Sequence, residues 1–185
     1  MDYSTDGYAQ LPLSSMLQSR RCRCHKNRSA HFFYVSEIAF GGVSYLRVVH
    51  RNGSIRASFL MAKVRNAPVK PLTIPRLELQ AAVLETRLNQ KIVEELRTLR
   101  IDQSYFWSHS MTTLQYIYNE TRPFESFVSN LISEIRDHSK PTDWRYVPTH
   151  RNPADDLTRG LGVAEITLNH RYLAGPAFIR QSDST

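Results

Sequence analysis

The chain has 185 residues, of which 41% are hydrophobic and 10% aromatic, so we expect one domain with a real core and short flanks. Its net charge of +7 favours anionic partners, nucleic acid first, although a basic surface also serves solubility alone. No run of about 18 apolar residues is present, which argues against a membrane partner. The polar N-terminus lacks a signal-peptide pattern, so an intracellular location, cytoplasm or nucleus, is expected.

The first 30 residues are predicted to be a linker or N-terminal extension. Cys22 and Cys24 are too close for a usual zinc knuckle and have no second pair, which favours reduced thiols. Residues 11–17 carry apolar side chains suited to a short helix or docking segment. The basic run from Arg20 to Arg28 fits phosphate contacts, a nuclear-import patch or a solvated linker, and we favour the linker.

Three strands are predicted next. His31–Ser36 is aromatic and β-branched, and Val43–Val49 follows Gly41-Gly42 as the second strand. Asn52-Gly53 is a strong hairpin signal, and Ser54–Lys63 forms the third strand.

A long helix is predicted from Pro75, whose fixed φ suits a first helical position, to about Arg97, with Thr73 as a possible cap. Glu78 lies beside its apolar stripe. The carboxylate of Glu78 either faces a cleft or simply complements the helix dipole, and periodicity alone favours the dipole. The stripe consists of Leu77, Ala81, Leu84, Leu88 and Ile92.

The second half predicts an alternation of strands and helices. A short strand, Tyr105–Trp107, precedes a helix capped by Ser110. Further on we expect a helix over 124–138, a strand over 142–147, and a short helix that Asn152-Pro153 starts and Gly160 ends. From pattern alone the class is α/β, with strands followed by helices.

Four ordered motifs resemble the RNase H-like segment of BEL/Pao-type retrotransposon polyproteins over roughly residues 8–182. They are residues 74–82 (Ile-Pro-Arg-Leu-Glu-Leu-Gln-Ala-Ala), 105–110 (Tyr-Phe-Trp-Ser-His-Ser), 144–148 (Trp-Arg-Tyr-Val-Pro) and 152–160 (Asn-Pro-Ala-Asp-Asp-Leu-Thr-Arg-Gly).

The resemblance implies a fold and a division of the chain. The fold is a mixed five-stranded sheet, three antiparallel strands then two parallel ones, flanked by helices. The RNase H-like domain would span 31–160, and 161–185 would be a connector tail. Reverse transcriptase and integrase segments are the implied partners in the ancestral polyprotein.

The resemblance also implies a two-metal hydrolase that cleaves RNA in RNA–DNA hybrids, with Mg²⁺ held by four carboxylates. Two of the four positions match, at Glu78 and Asp155. The other two depart from the pattern, because Tyr34 and His109 stand where active members carry aspartate. A phenol and an imidazole supply no negative charge to offset two divalent ions.

Other residues have implied or alternative roles. His150 resembles the loop histidine that assists catalysis or product release, and is equally compatible with an exposed loop residue. Asp156 is expected off the metal site, and Trp107 and Trp144 in the core. Basic residues that flank the cleft either contact phosphates or are ordinary surface charges, namely Arg76, Arg145, Arg151 and Arg159.

The predicted function is a retroelement-derived module that binds nucleic acid without cleaving it, with Mg²⁺ bound weakly or not at all. One alternative is an active ribonuclease H that uses Glu78, Asp155 and His109. The other is a structural or interaction module without nucleic-acid binding.

Overall fold

The computed structural model describes residues 24–69, 72–121, 123–159, 167 and 170–182. The five strands are β1 (Cys24–Val35), β2 (Ala39–His50), β3 (Ile55–Asn66), β4 (Gln103–Ser108) and β5 (Trp144–Tyr146). The α-helices are α1 (Ile74–Glu95), α2 (Met111–Tyr118), α3 (Ser126–His138), α4 (Asp155–Arg159) and α5 (Arg171–Ala174). Short 3₁₀ turns cover Pro141–Asp143, Thr149–Arg151 and Ala177–Arg180.

The strands form one sheet in the order β3-β2-β1-β4-β5. Strands β1, β2 and β3 are antiparallel neighbours, whereas β4 runs parallel to β1 and β5 parallel to β4. This arrangement confirms the predicted mixed sheet. Since β1 and β4 are parallel neighbours, the residues that follow their carboxyl ends lie at one edge of the sheet.

The first strand begins at Cys24 rather than at His31, so that prediction was wrong. The basic run was interpreted as a linker, and this was also wrong over its described part, because Lys26 and Arg28 lie in β1 and pair with residues of β2. Lys26 and Arg28 are only half-buried, and charged side chains at such positions hide a strand from a hydropathy pattern. The division of the chain at residues 30 and 160 stays a prediction.

The second strand begins at Ala39 rather than at Val43, and it contains the glycine pair that was expected to precede it. A Cβ at Gly41 would lie 2.5 Å from the carbonyl oxygen of Lys63, and one at Gly42 would lie 1.4 Å from Oε1 of Glu85. Glycine inside a strand marks the close approach of another group. Here the group at Gly42 comes from helix α1.

The Asn52-Gly53 hairpin is confirmed, with Gly53 at φ +81° and the Asn52 side chain accepting from Ser54 N–H at 3.0 Å. The Ser110 cap of α2 is confirmed as well, because its hydroxyl accepts from Thr113 N–H at 3.2 Å. Thr73 stands at the N-cap of α1 without a side-chain cap bond, so only its backbone serves there.

Helices α1, α2 and α3 cover one face of the sheet, over a core that includes Phe33, Leu79 and Ile135. The other face packs against the C-terminal segments, with Phe32, Tyr45 and Ile179 in a second core. The segment 170–182 is joined to β2 through the Tyr45 hydroxyl, which donates to the carbonyl of Tyr172 at 2.7 Å.

A cluster of three buried polar side chains joins β1, β2 and α1. His31 Nδ1 lies 2.8 Å from Ser44 Oγ and 3.5 Å from Glu85 Oε2, and all three residues are fully buried. Burial raises the pKa of the Glu85 carboxyl, against the opposing hydrogen bonds and charge of His31. This cluster fixes α1 on the sheet two turns after Glu78.

The predicted docking segment at residues 11–17, Cys22 and Gly160 lie outside the described residues. Among the helices that the structure describes, none has the length and apolar character needed to span a membrane.

Candidate active site

Tyr34 and His109 meet where β1 and β4 end. The register pairs Phe32 with Trp107, so the residues two positions further along also lie side by side. The rings of Tyr34 and His109 stack with centroids 4.5 Å apart and planes inclined by 27°. The two positions that lack the expected carboxylate therefore form an aromatic pair.

Glu78 reaches the same place from the second turn of α1, and it is buried. Its Oε2 accepts hydrogen bonds from the hydroxyls of Ser110 and Thr113, the second at 3.1 Å. Its Oε1 faces His109 Nε2 at 3.9 Å. One carboxylate oxygen is thus held by α2, and the other is directed at the imidazole.

Asp155 comes from the beginning of α4, and Asn152 positions it. The Asn152 amide donates to the carbonyl of Phe33 at 2.9 Å, and its oxygen accepts from Ala154 N–H at 3.0 Å. The Asn152 oxygen thus makes the predicted cap bond, although regular helix α4 begins at Asp155, two residues after the predicted first-turn Pro153. Asp155 is 4% exposed.

Arg171, which sequence reasoning missed, joins the C-terminal segment to this site. Its guanidinium makes two hydrogen bonds to the Asp156 carboxylate and donates to the carbonyl of His150 at 2.7 Å. The same group lies 3.7 Å from Asp155 Oδ2. A lone arginine in a segment without periodicity gives no sequence signal for such a role.

Replacing Arg171 with Gln should lower the free energy of unfolding by about 1 kcal/mol, a modest loss because the Arg171 side chain is about one-third exposed. Urea unfolding measures this loss of unfolding free energy. Arg151→Gln is the matched control, since it removes an exposed arginine from the neighbouring turn. An equal loss in both variants would show that net charge, rather than the Asp156 contact, causes the effect.

Burial lowers the pKa of the His109 imidazole, and this effect outweighs the attraction of the Glu78 and Asp155 carboxylates. The imidazole is therefore neutral at pH 7. Its Nδ1 is buried and has no hydrogen-bond partner within the described part of the chain. A neutral ring thus lies beside Glu78, where the resemblance implies a third carboxylate.

The lowered pKa predicts a pH dependence of stability. The unfolded chain takes up a proton on His109 near pH 6.5, before the folded chain does, so the free energy of unfolding falls as the pH drops below that value. His109→Gln should reduce the loss measured by urea unfolding between about pH 7.5 and about pH 5.5. His150→Gln, an exposed control, should keep the parent's pH dependence. Identical pH profiles of the parent and His109→Gln would contradict this assignment.

The donor set does not fit a pair of Mg²⁺ ions. Mg²⁺ requires several hard oxygen ligands in octahedral array. Here Glu78 and Asp155 are the two carboxylates, with hydroxyls on one and a guanidinium beside the other. In the chain as described, no group of three or more His, Cys, Asp and Glu residues is arranged to hold a metal ion.

The remaining predicted residues are scattered around this site. His150 and Arg151 are exposed in the turn before α4, whereas Arg76 pairs with Glu125 at the start of α3. Arg145 points along β4 and lies over the ring of Tyr105. The Arg159 side chain falls outside the described residues. Trp144 is in the core as predicted, and Trp107 is partly buried on the other face of the sheet.

The sheet order, the long helix on its face and the convergence of β1, α1, β4 and α4 define an RNase H-like domain. The family model of the Pao retrotransposon-like RNaseH-like domain matches residues 10–110, more than half of the chain. The chain belongs to this family.

Several solved structures are similar at low sequence identity. RNase H1 from the halophilic archaeon Halobacterium salinarum NRC-1 is 10% identical, with 73% of this chain and 99% of that one covered and a TM-score of 0.44. The N-terminal RNase H domain of rv2228c from Mycobacterium tuberculosis is 10% identical, with coverages of 71% and 88% and a TM-score of 0.44. LC11-RNase H1 in complex with an RNA/DNA hybrid is 10% identical, with 71% of this chain and 93% of that one covered and a TM-score of 0.35. The search of curated proteins returned no match.

Proposed function

We propose that the domain is a retroelement-derived module that binds RNA–DNA hybrids and does not cleave them. One observation carries the proposal: the four positions of the site hold two carboxylates and a stacked Tyr34–His109 pair. Cleavage by the two-metal route needs negative charge that offsets two divalent ions. Glu78 and Asp155 alone supply too little, and a neutral His109 adds none.

Hybrid binding is supported by charge and by family membership. The net charge of +7 attracts a phosphate backbone at long range, and Arg151 is exposed beside His150 at the turn before α4. Since α4 carries Asp155, a nucleic-acid strand that lies over the candidate active site would pass this turn. Binding of this kind rests on phosphate contacts and should weaken steeply as salt rises.

Fluorescence anisotropy with a labelled RNA–DNA hybrid tests the binding. We expect the logarithm of the affinity to fall linearly with the logarithm of the salt concentration. Arg151→Gln should reduce the magnitude of this slope by about 1, the value for the loss of one phosphate contact. Arg56→Gln, which removes an exposed arginine from the distant strand β3, is the control. No binding at low salt would exclude this function and leave the structural or interaction module.

A further inference from the structure

Strand β3 ends the sheet, and its outer edge is open. The sheet order places β2 on one side of β3 and, within the described residues, no strand on the other. In the same part of the chain the backbone of β3 is hydrogen-bonded to β2 alone. The opposite end strand, β5, has three residues, whereas β3 has twelve. An unpaired edge of this length is a template for another extended segment.

A β-bulge divides this edge at Leu60, the one residue of β3 that the register with β2 leaves without a partner. A bulge bends the strand and interrupts the ladder that an added strand could form. The usable edge is therefore the stretch after the bulge, Met61–Asn66. Its last four residues are all exposed, so the edge can be approached from outside.

The hydrogen-bond pattern shows that the backbone of Val64, in this stretch, faces outward. Ser36 N–H donates to the carbonyl of Ala39 at 2.8 Å, so the backbone groups of Ala39 face β1. Successive residues of a strand direct these groups to opposite neighbours, and Gly41 therefore faces β1 as well. Val64 lies opposite Gly41, and the N–H and C=O of Val64 consequently point away from β2.

The side chains of this edge alternate between positive charge and apolar character. Met61 packs in the core under α1, and period-two alternation puts Lys63 and Arg65 on the same face. Both are exposed, and neither pairs with an acidic side chain within the described residues. Val64 lies on the other face and is 43% exposed. An added strand would meet two cations on one face and an apolar side chain on the other.

The charges select the kind of strand that fits. Two copies of this chain paired about a two-fold axis at Val64 would place Lys63 of one copy opposite Arg65 of the other. Like charges directly opposite destabilise a strand pair, whereas opposite charges stabilise it. Basic residues on the edge therefore disfavour self-pairing and favour an acidic segment.

We propose that Met61–Asn66 is a docking site for an extended acidic segment of a partner protein, which joins the sheet beside β3. The outward N–H and C=O of Val64 hydrogen-bond to the backbone of that segment. Aspartate or glutamate lies opposite Lys63 and Arg65, and an apolar residue between them packs against Val64. This interaction goes beyond hybrid binding and uses no residue of the candidate active site.

Fluorescence anisotropy with the full chain and a labelled short peptide that alternates glutamate with valine tests the proposal. Lys63→Glu with Arg65→Glu should weaken binding at least about tenfold, and should create binding of a peptide that alternates lysine with valine. Arg51→Glu with Arg56→Glu is the matched control, because it makes the same change in net charge at two exposed positions beyond the bulge. The control should keep most of the affinity for the glutamate peptide.

Val64→Pro separates strand addition from simple attraction of charge. It keeps every charge and removes an outward N–H, a position at which an edge strand tolerates proline, so the glutamate peptide should bind about tenfold more weakly. Independently of this variant, amide hydrogen exchange of the parent should slow over residues 61–66 when the peptide is bound.

Four results would overturn the proposal. They are no binding of the glutamate peptide at low salt, equal losses in the two charge-reversed double variants, unchanged exchange over residues 61–66 in the complex, and self-association of the parent through this edge. Analytical ultracentrifugation checks the last of these, since a dimer that Val64→Pro dissociates would assign the edge to a second copy of the chain.

Discussion

The Gly42→Ala variant is expected to lose at least about 3 kcal/mol of unfolding free energy, or to fail to fold. Its Cβ would lie 1.4 Å from Oε1 of Glu85, so helix α1 must move off the sheet or the Glu85 carboxylate must leave the contacts with His31 and Ser44. Either change disturbs the helix that carries Glu78. Urea unfolding followed by circular dichroism measures the loss.

Two variants make this prediction falsifiable. Gly53→Ala is the matched control, because Gly53 has a positive φ but open space around it, and it should cost only about 1 kcal/mol. The double change Gly42→Ala with Glu85→Ala removes the clash and should recover part of the stability that Gly42→Ala loses. A Gly42→Ala protein as stable as Gly53→Ala would show that β2 and α1 are not in this close contact.

The double variant Tyr34→Asp with His109→Asp is expected to gain a Mg²⁺-dependent rise in melting temperature that the parent lacks. Four carboxylates brought together without metal repel one another and have raised pKa values, so the variant should be less stable than the parent in the absence of Mg²⁺. Mg²⁺ that binds only the folded state restores stability, and a rise of about 5 °C is expected at saturation.

Thermal unfolding with and without Mg²⁺ provides the measurement. The matched control carries Tyr34→Asn with His109→Asn, which has similar side-chain volumes and no added charge. It should show no response to Mg²⁺. A folded Asp variant that melts at the same temperature with and without Mg²⁺ would contradict the placement of Tyr34 and His109 in one site with Glu78 and Asp155.

The sequence predicted the fold well where local signals agree with the tertiary structure. Aromatic and β-branched residues marked the first strand, Asn52-Gly53 marked the hairpin, and Ser110 marked the start of α2. These signals depend on residues within a few positions of one another. The mixed sheet, with three antiparallel strands and then two parallel ones, followed from the resemblance, and the structure confirms it.

What the sequence did not predict depends on contacts between distant parts of the chain. Gly42 was expected to precede the second strand, and its close contact with Glu85 has no signal in the local sequence. Arg28 reads as part of a linker, although it lies in the central strand β1 and faces a pocket. Arg171 joins α5 to α4 across a stretch without periodicity. Each assignment requires the three-dimensional pairing.

A cleavage assay on a labelled RNA–DNA hybrid with Mg²⁺ tests whether the domain binds hybrids without cleaving them. The parent should leave the RNA strand intact at protein concentrations that saturate the hybrid, whereas Tyr34→Asp with His109→Asp should cut it slowly. Cleavage by the parent that Glu78→Gln abolishes would rule out binding without cleavage, and would show that Glu78, Asp155 and His109 form a working active site.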